Sequence, residues 1–189
     1  MSVRPEELTL PGFVTVKCNV SRLPGTFGTL DRMLEYADQF IAKRFKDVGR
    51  IYPMFHAENE TEAFVIRTML ENKDAVAEIL TKFFAEKNVQ RFVFIDEAWF
   101  LDIDQKGGKF SQAELDKIMR EGLKDHPDRR EVIQFHAQDA NVMHIWTREI
   151  IRPAKGKAKL APLKKNEEWN QSEGRWHGLL RHLRTGALQ

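Results

Sequence analysis

The side chains best suited to chemistry sit in two matching pentapeptides. Phe55-His56-Ala57-Glu58-Asn59 and Phe135-His136-Ala137-Gln138-Asp139 agree at three positions and are related at the other two. Imidazole nitrogens with carboxylates suit a divalent transition metal, and the same groups can do general acid–base work. If the strands carrying them are neighbours, His56 and His136 meet Glu58, Asp139 or Glu97 at the sheet edge. The catalytic candidates are therefore His56, Glu58, Glu97, His136 and Asp139, the metal candidates are His56, His136 and Glu97, and the corresponding activity is metal-dependent hydrolysis of a small molecule. The spacing argues against it. Two histidines about eighty residues apart match no standard ligand pattern, and the chain has neither His-Glu-x-x-His nor a pair of Cys-x-x-Cys elements. In the plainer reading, which is favoured, Phe packs inward, His shields a strand end and the acid or amide makes the turn.

Other polar groups receive the same two-sided reading. Asp96 and Glu97 interrupt a hydrophobic strand and point to opposite faces, so they cannot act as a close pair; an ion pair with Arg67, Arg91 or Arg148 is expected for whichever is buried. Gly25-Thr26-Phe27-Gly28-Thr29 precedes a helix and could offer backbone N–H groups to a phosphate, but it lacks the Gly-Lys-Ser/Thr of a P-loop and the third glycine of a dinucleotide fingerprint, which favours an ordinary turn and cap. Cys18 is the only cysteine, which excludes an internal disulfide, and its place in an alternating stretch makes it a small hydrophobe rather than a nucleophile.

The elements that must position these groups follow from periodicity. Thr29 caps a helix whose apolar stripe is Leu30, Met33, Leu34, Ala37, Phe40, Ile41 and Phe45, and which ends at Gly49. Arg50 to His56 and Ala63 to Arg67 form a hairpin, with Pro53 marking an edge or irregularity. Asn72 caps a second helix, to about Lys87, that buries Val76, Ile79, Leu80, Phe83 and Phe84. Arg91 to Phe100 reads as the central strand. Ser111-Gln112-Ala113-Glu114 is a capping box opening a short helix with Leu115, Ile118 and Met119 inward, and a second hairpin spans about Glu131 to Ala137 and Val142 to Ile151. The predicted fold is α+β: a mainly antiparallel sheet of two hairpins and a central strand with helices packed against it.

Formal charge is only +2, but it is unevenly spread: Arg152 to Arg184 holds nine Lys or Arg against three Glu. One α+β domain over 1–151 with a basic extension over 152–189 is expected. Lys155, Lys157, Lys159, Lys164, Lys165, Trp169 and Trp176 are its macromolecule-binding candidates, and contact with nucleic acid through residues 152–184 would use phosphates on lysines and bases on aromatics. The bland reading, an amphipathic terminal helix clamped onto the domain by Trp169, Trp176, Leu179, Leu180 and Leu183, is favoured. Glu6, Glu7 and Pro11 interrupt any signal-peptide core and no long apolar run occurs, so a cytoplasmic protein without membrane contact is expected.

Arg50 to Glu60, the strand Arg91 to Trp99 with its Glu97-Ala98-Trp99 ending, and His126-Pro127-Asp128-Arg129-Arg130-Glu131-Val132 together resemble a bacterial protein family of unknown function. The resemblance covers somewhat less than half the chain, leaves out the N-terminal segment and the Lys-rich tail, and implies neither an activity nor catalytic residues. With the plain reading ahead at each motif, the expected function is that of a non-enzymatic binding or accessory protein acting through protein contacts or self-association. Metal-dependent hydrolysis and nucleic-acid binding are the alternatives, and no cofactor is specified.

Overall fold

The computed structural model describes residues 6–8, 18–68, 72–101, 110–166, 176 and 178–185. Its elements are β1 (Glu6–Leu8), β2 (Cys18–Leu23), α1 (Leu30–Val48), β3 (Met54–Glu58), β4 (Ala63–Thr68), α2 (Lys73–Glu86), β5 (Arg91–Phe100), α3 (Gln112–Glu121), β6 (Arg130–Gln138), β7 (Met143–Ile151), β8 (Lys159–Leu160), β9 (Lys164–Asn166) and α4 (Arg181–Thr185). The strands form one antiparallel sheet in the order β1-β2-β4-β3-β5-β6-β7-β8, with β9 also pairing β7. This is the expected α+β architecture, with β5 central and flanked by the hairpins β3–β4 and β6–β7.

Alternation sorts each strand between two layers. Met54, Val93, Ile95, Ile133, Phe135, Ala137 and Trp146 face α1 and bury its stripe of Leu30, Met33, Leu34, Ala37, Ile41 and Phe45. Phe55, Phe64, Ile66, Phe92 and Phe94 face the other way, onto Val76, Ile79, Leu80, Phe83 and Phe84 of α2. Cys18 lies in this second layer, fully buried, where desolvation raises its thiol pKa. That environment suits packing rather than nucleophilic attack.

The ends of α1 follow its sequence signals. The Thr29 side chain accepts from the Arg32 N–H at 3.3 Å, and the chain leaves the helix through Gly49 at φ 73°, where a β-carbon would be strained. Asn72 caps α2 in the same way. The Ser111/Glu114 capping box forms, but α3 stands out from the body: the expected inward residues Leu115 and Ile118 are only half-buried, because the helix lies outside both sheet layers, and the side chain of Met119 lies outside the described residues.

Two expectations shift. The strand expected from Arg50 begins at Met54, since the segment leading in through Pro53 has no ladder partner on that stretch, and residues 13–17 of the alternating stretch that holds Cys18 lie outside the described residues. Part of the basic stretch belongs to the sheet: β8 and β9 pair with the outer side of β7, while Ala158, Leu160 and Leu163 pack into the α1 layer. Leu179 and Leu180 are buried in the α2 layer with Trp176 and Leu183 against them, but the terminal helix α4 is only five residues long. Among the described residues no helix is long and apolar enough to cross a membrane.

Candidate functional site

Strand register decides the fate of the histidine pair. His56 lies opposite Val93, whereas His136 lies opposite Phe94, the next residue of β5. Adjacent strand residues point to opposite faces, so His56 enters the α1 layer and His136 the α2 layer, with the sheet between them. The structure does not bring them together. Among the described residues no three His, Cys, Asp or Glu side chains are grouped to hold a metal ion. The reason is topological. β3 and β6 both run antiparallel to β5 and therefore parallel to each other, with β4 and β7 on their outer sides; a half-turn about the direction of β5 superposes one hairpin on the other and exchanges the faces.

The pentapeptides nevertheless match in turn chemistry. Asn59 Oδ1 accepts from Thr61 N and Glu62 N at 2.9 and 2.8 Å; Asp139 Oδ1 accepts from Asn141 N and Val142 N at 2.8 and 2.9 Å. Asp139 is thus a turn-forming side chain, and the acid or amide at this position closes the hairpin.

His56 and Glu58 do share a face. His56 is fully buried, with the rings of Tyr36 and Phe40 at 5.7 and 5.4 Å, and neither ring nitrogen has a hydrogen-bond partner. Desolvation, reinforced by the positive charge of Arg67, lowers its pKa to about 4, so the imidazole is neutral at neutral pH. Glu58, also fully buried, accepts from Phe27 N at 2.5 Å and Gly28 N at 3.1 Å and is paired with Arg91. The loop considered for phosphate therefore already holds an anion, and that anion is the protein's own carboxylate. Gly28, at φ 78°, supplies the backbone conformation that turns these amides toward it.

The central carboxylates find partners other than those expected. Arg91 is committed to Glu58, and Arg148 makes a two-pronged pair with Asp38 of α1 at 2.5 and 2.7 Å. Glu97 instead accepts from Ile51 N at 2.5 Å; burial raises its pKa against that bond, with Glu131 raising it and Arg152 and Arg50 lowering it further. Asp96 is half-buried on the α2 side, and desolvation pushes its pKa up to about 6 despite a backbone hydrogen bond and Lys73. On that side His136 packs beside Phe94 at 6.2 Å; its Nε2 has no partner and burial lowers its pKa.

What the sequence pattern missed lies at the end of the sheet beyond the C-terminus of α1. Tyr52 and Trp99 are 47% and 44% exposed, large values for aromatic residues flanking core strands, and each ring has a guanidinium over it: Arg50 at 4.8 Å and Arg129 at 4.3 Å. The Ile51–Glu97 hydrogen bond holds the segment beside β5. Next to them Arg152 grips Glu131 at 2.6 Å through both prongs and donates to Gly49 O. Beyond Arg152, Lys155, Lys157 and Lys159 are exposed, and Lys164 and Lys165 continue the basic edge on β9, with Lys165 over Trp146 at 4.4 Å. The signal available in sequence was an aromatic at each strand end with Arg two or more residues away, too common to single out.

Of the aromatic binding candidates, Trp169 lies outside the described residues. Trp176 packs on Phe55 and Phe94 at 5.2 and 5.0 Å, so it serves the core rather than stacking on a partner. A cleft of about 280 Å³ between α3 and the turn at Asp125–Pro127 is lined by Glu114, Lys117, Glu121 and His126, with Glu114 already engaged by Ser111. In comparisons with known proteins, no family model, curated protein or solved structure matches the chain significantly.

Proposed function

We propose that the chain is a binding or accessory protein that acts through macromolecular contacts, made by the basic edge at β8 and β9. One observation carries this reading. From Arg152 to Lys165 the chain bears six Lys or Arg and no Asp or Glu, and the lysines stand exposed without a carboxylate partner among the described residues. The alternation explains the exposure: Ala158 and Leu160 turn into the α1 layer, which forces Lys157 and Lys159 outward. The side chains proposed for catalysis are instead held apart by the sheet or bound to backbone amides, which favours contact over chemistry.

The test compares wild type with the Lys155→Glu/Lys157→Glu/Lys159→Glu variant, both isolated at low salt and analysed by light scattering and ultraviolet absorbance. The wild type is expected to carry a macromolecular companion that the variant, folded by circular dichroism, loses. A wild type that runs as the bare chain, indistinguishable from the variant, refutes the reading.

A further inference from the structure

We infer that the outer edge of β8 and β9 takes up an extended peptide of alternating acidic and apolar residues as a further antiparallel strand of the sheet. The inference rests on the proposed binding role of this basic edge and specifies its partner.

Among the described residues β8 ends the strand order and β9 pairs only with β7, so neither has a partner on its outer side. Ala161 N–H donates to Glu149 O at 2.9 Å, which turns the odd-numbered residues of β7 toward this edge. Backbone direction alternates along an antiparallel ladder, so Leu160 and Lys165, opposite Ile150 and Trp146, point their N–H and C=O groups outward. Ile150 and Trp146 lie an even number of residues apart, so the two outward slots fall in phase for one straight strand, roughly 14 Å apart at about 3.4 Å per residue. Between them stands the exposed Pro162, which has no N–H for a ladder and belongs on an open edge.

Side chains set what that strand must be. Lys159 and Lys164 lie opposite Ile151 and Thr147 and share one face, and the exposed Lys157 joins them because Ala158 turns into the α1 layer. Leu160 lies on the other face, half-buried against the α1 layer, and Lys165 is held over the ring of Trp146. An added strand thus meets ammonium groups on one face, where carboxylates fit, and a leucine on the other, where an apolar side chain fits. From Arg152 to Lys165 the chain has no Asp or Glu of its own to compete. Lysines along a sheet edge keep copies of the same strand apart by like charge, and that repulsion selects an acidic strand over a second copy of this chain. Lipid or nucleic-acid phosphates would meet the charges but make no use of two in-phase backbone slots.

The experiment measures fluorescence anisotropy of a labelled peptide of about eight residues, alternating valine and glutamate, with the full chain. Binding is expected, and it weakens as salt rises from about 50 to 200 mM. Methylation of the valine amides, which an antiparallel strand turns toward Leu160 and Lys165, is expected to weaken binding roughly ten-fold, and methylation of the glutamate amides to leave it nearly unchanged. The Lys157→Glu/Lys159→Glu/Lys164→Glu variant, folded by circular dichroism, is expected to lose this peptide and to accept its valine–lysine counterpart. Absence of binding to wild type overturns the inference, as does equal binding of the two methylated peptides, the mark of charge attraction alone. A wild type that binds labelled oligothymidylate or phosphatidylserine vesicles while ignoring the peptide also overturns it. If the peptide fails while the Lys155→Glu/Lys157→Glu/Lys159→Glu variant still sheds a companion that wild type carries, the binding role stands and the added strand falls.

Discussion

Acidification should reveal two buried groups pulling stability in opposite directions. For His56 the folded-state pKa of about 4 lies below the ordinary 6.5, so the unfolded chain takes up the proton first. Its contribution is fully present above pH 6.5 and is lost as pH falls toward 4. For Asp96 the folded-state value of about 6 lies above the ordinary 3.8. Its contribution is present below 3.8 and is lost as pH rises through 6. With each tenfold ratio worth about 1.4 kcal/mol, moving from pH 7 to 4.5 costs about 2 kcal/mol through His56 and returns between about 1 and 2 kcal/mol through the half-buried Asp96, discounted for its solvent contact. His136 adds to the first effect and Glu97 to the second. Wild type should therefore change little over this interval. Asp96→Asn removes one arm and should lose about 2 kcal/mol on acidification; His56→Phe removes the other and should gain about 1 kcal/mol. Urea unfolding followed by tryptophan fluorescence at the two pH values reads this directly. An Asp96→Asn variant whose stability is flat or rises on acidification would refute the reasoning, whether or not His56→Phe folds.

Glu58→Gln should destabilise the fold by about 3 kcal/mol, because Arg91 loses its counter-charge, and hydrogen exchange at the Phe27 and Gly28 amides should accelerate above the rest of the loop. Asp139→Ala should cost about 1 kcal/mol in denaturant unfolding, as loss of a turn-forming side chain does. A double-mutant cycle on Asp38→Ala and Arg148→Ala should give a coupling of about 2 kcal/mol, since the pair is two-pronged and mostly shielded; a value near zero would show that the bridge does not tie α1 to β7.

Periodicity made the layers legible. The stripes of α1 and α2, the cap at Thr29 and the near-continuous apolar start of β5 required only local rules, and they recover both helix faces and the central strand. The candidate site was less legible because a pentapeptide match carries no information about which side of a sheet its residues reach. His56 and His136 share residue type, neighbours and turn, yet a one-residue offset against β5 sends them to opposite layers. Ion-pair partners were illegible for a related reason: Arg148 pairs with Asp38, 110 residues away, and Glu97 chose a backbone amide over any arginine. The exposed Tyr52 and Trp99 depend on where α1 stops covering the sheet, a tertiary fact.

The half-turn relating the two hairpins also bears on how this sequence could change by exchange between its own parts. At Phe, His and Ala a copy of either pentapeptide into the other's place would be silent. The fourth position differs, because Glu58 is balanced by Arg91 and the Phe27 and Gly28 amides in one layer, whereas Gln138 is buried in the other. A carboxylate copied to position 138 would arrive without those partners and be strongly disfavoured. The exchange of glutamate for glutamine at the fourth position, with that of Asn59, whose amide donates to Lys87 O, for Asp139 at the fifth, thus works as an address label that keeps two closely similar segments each to its own side of the sheet.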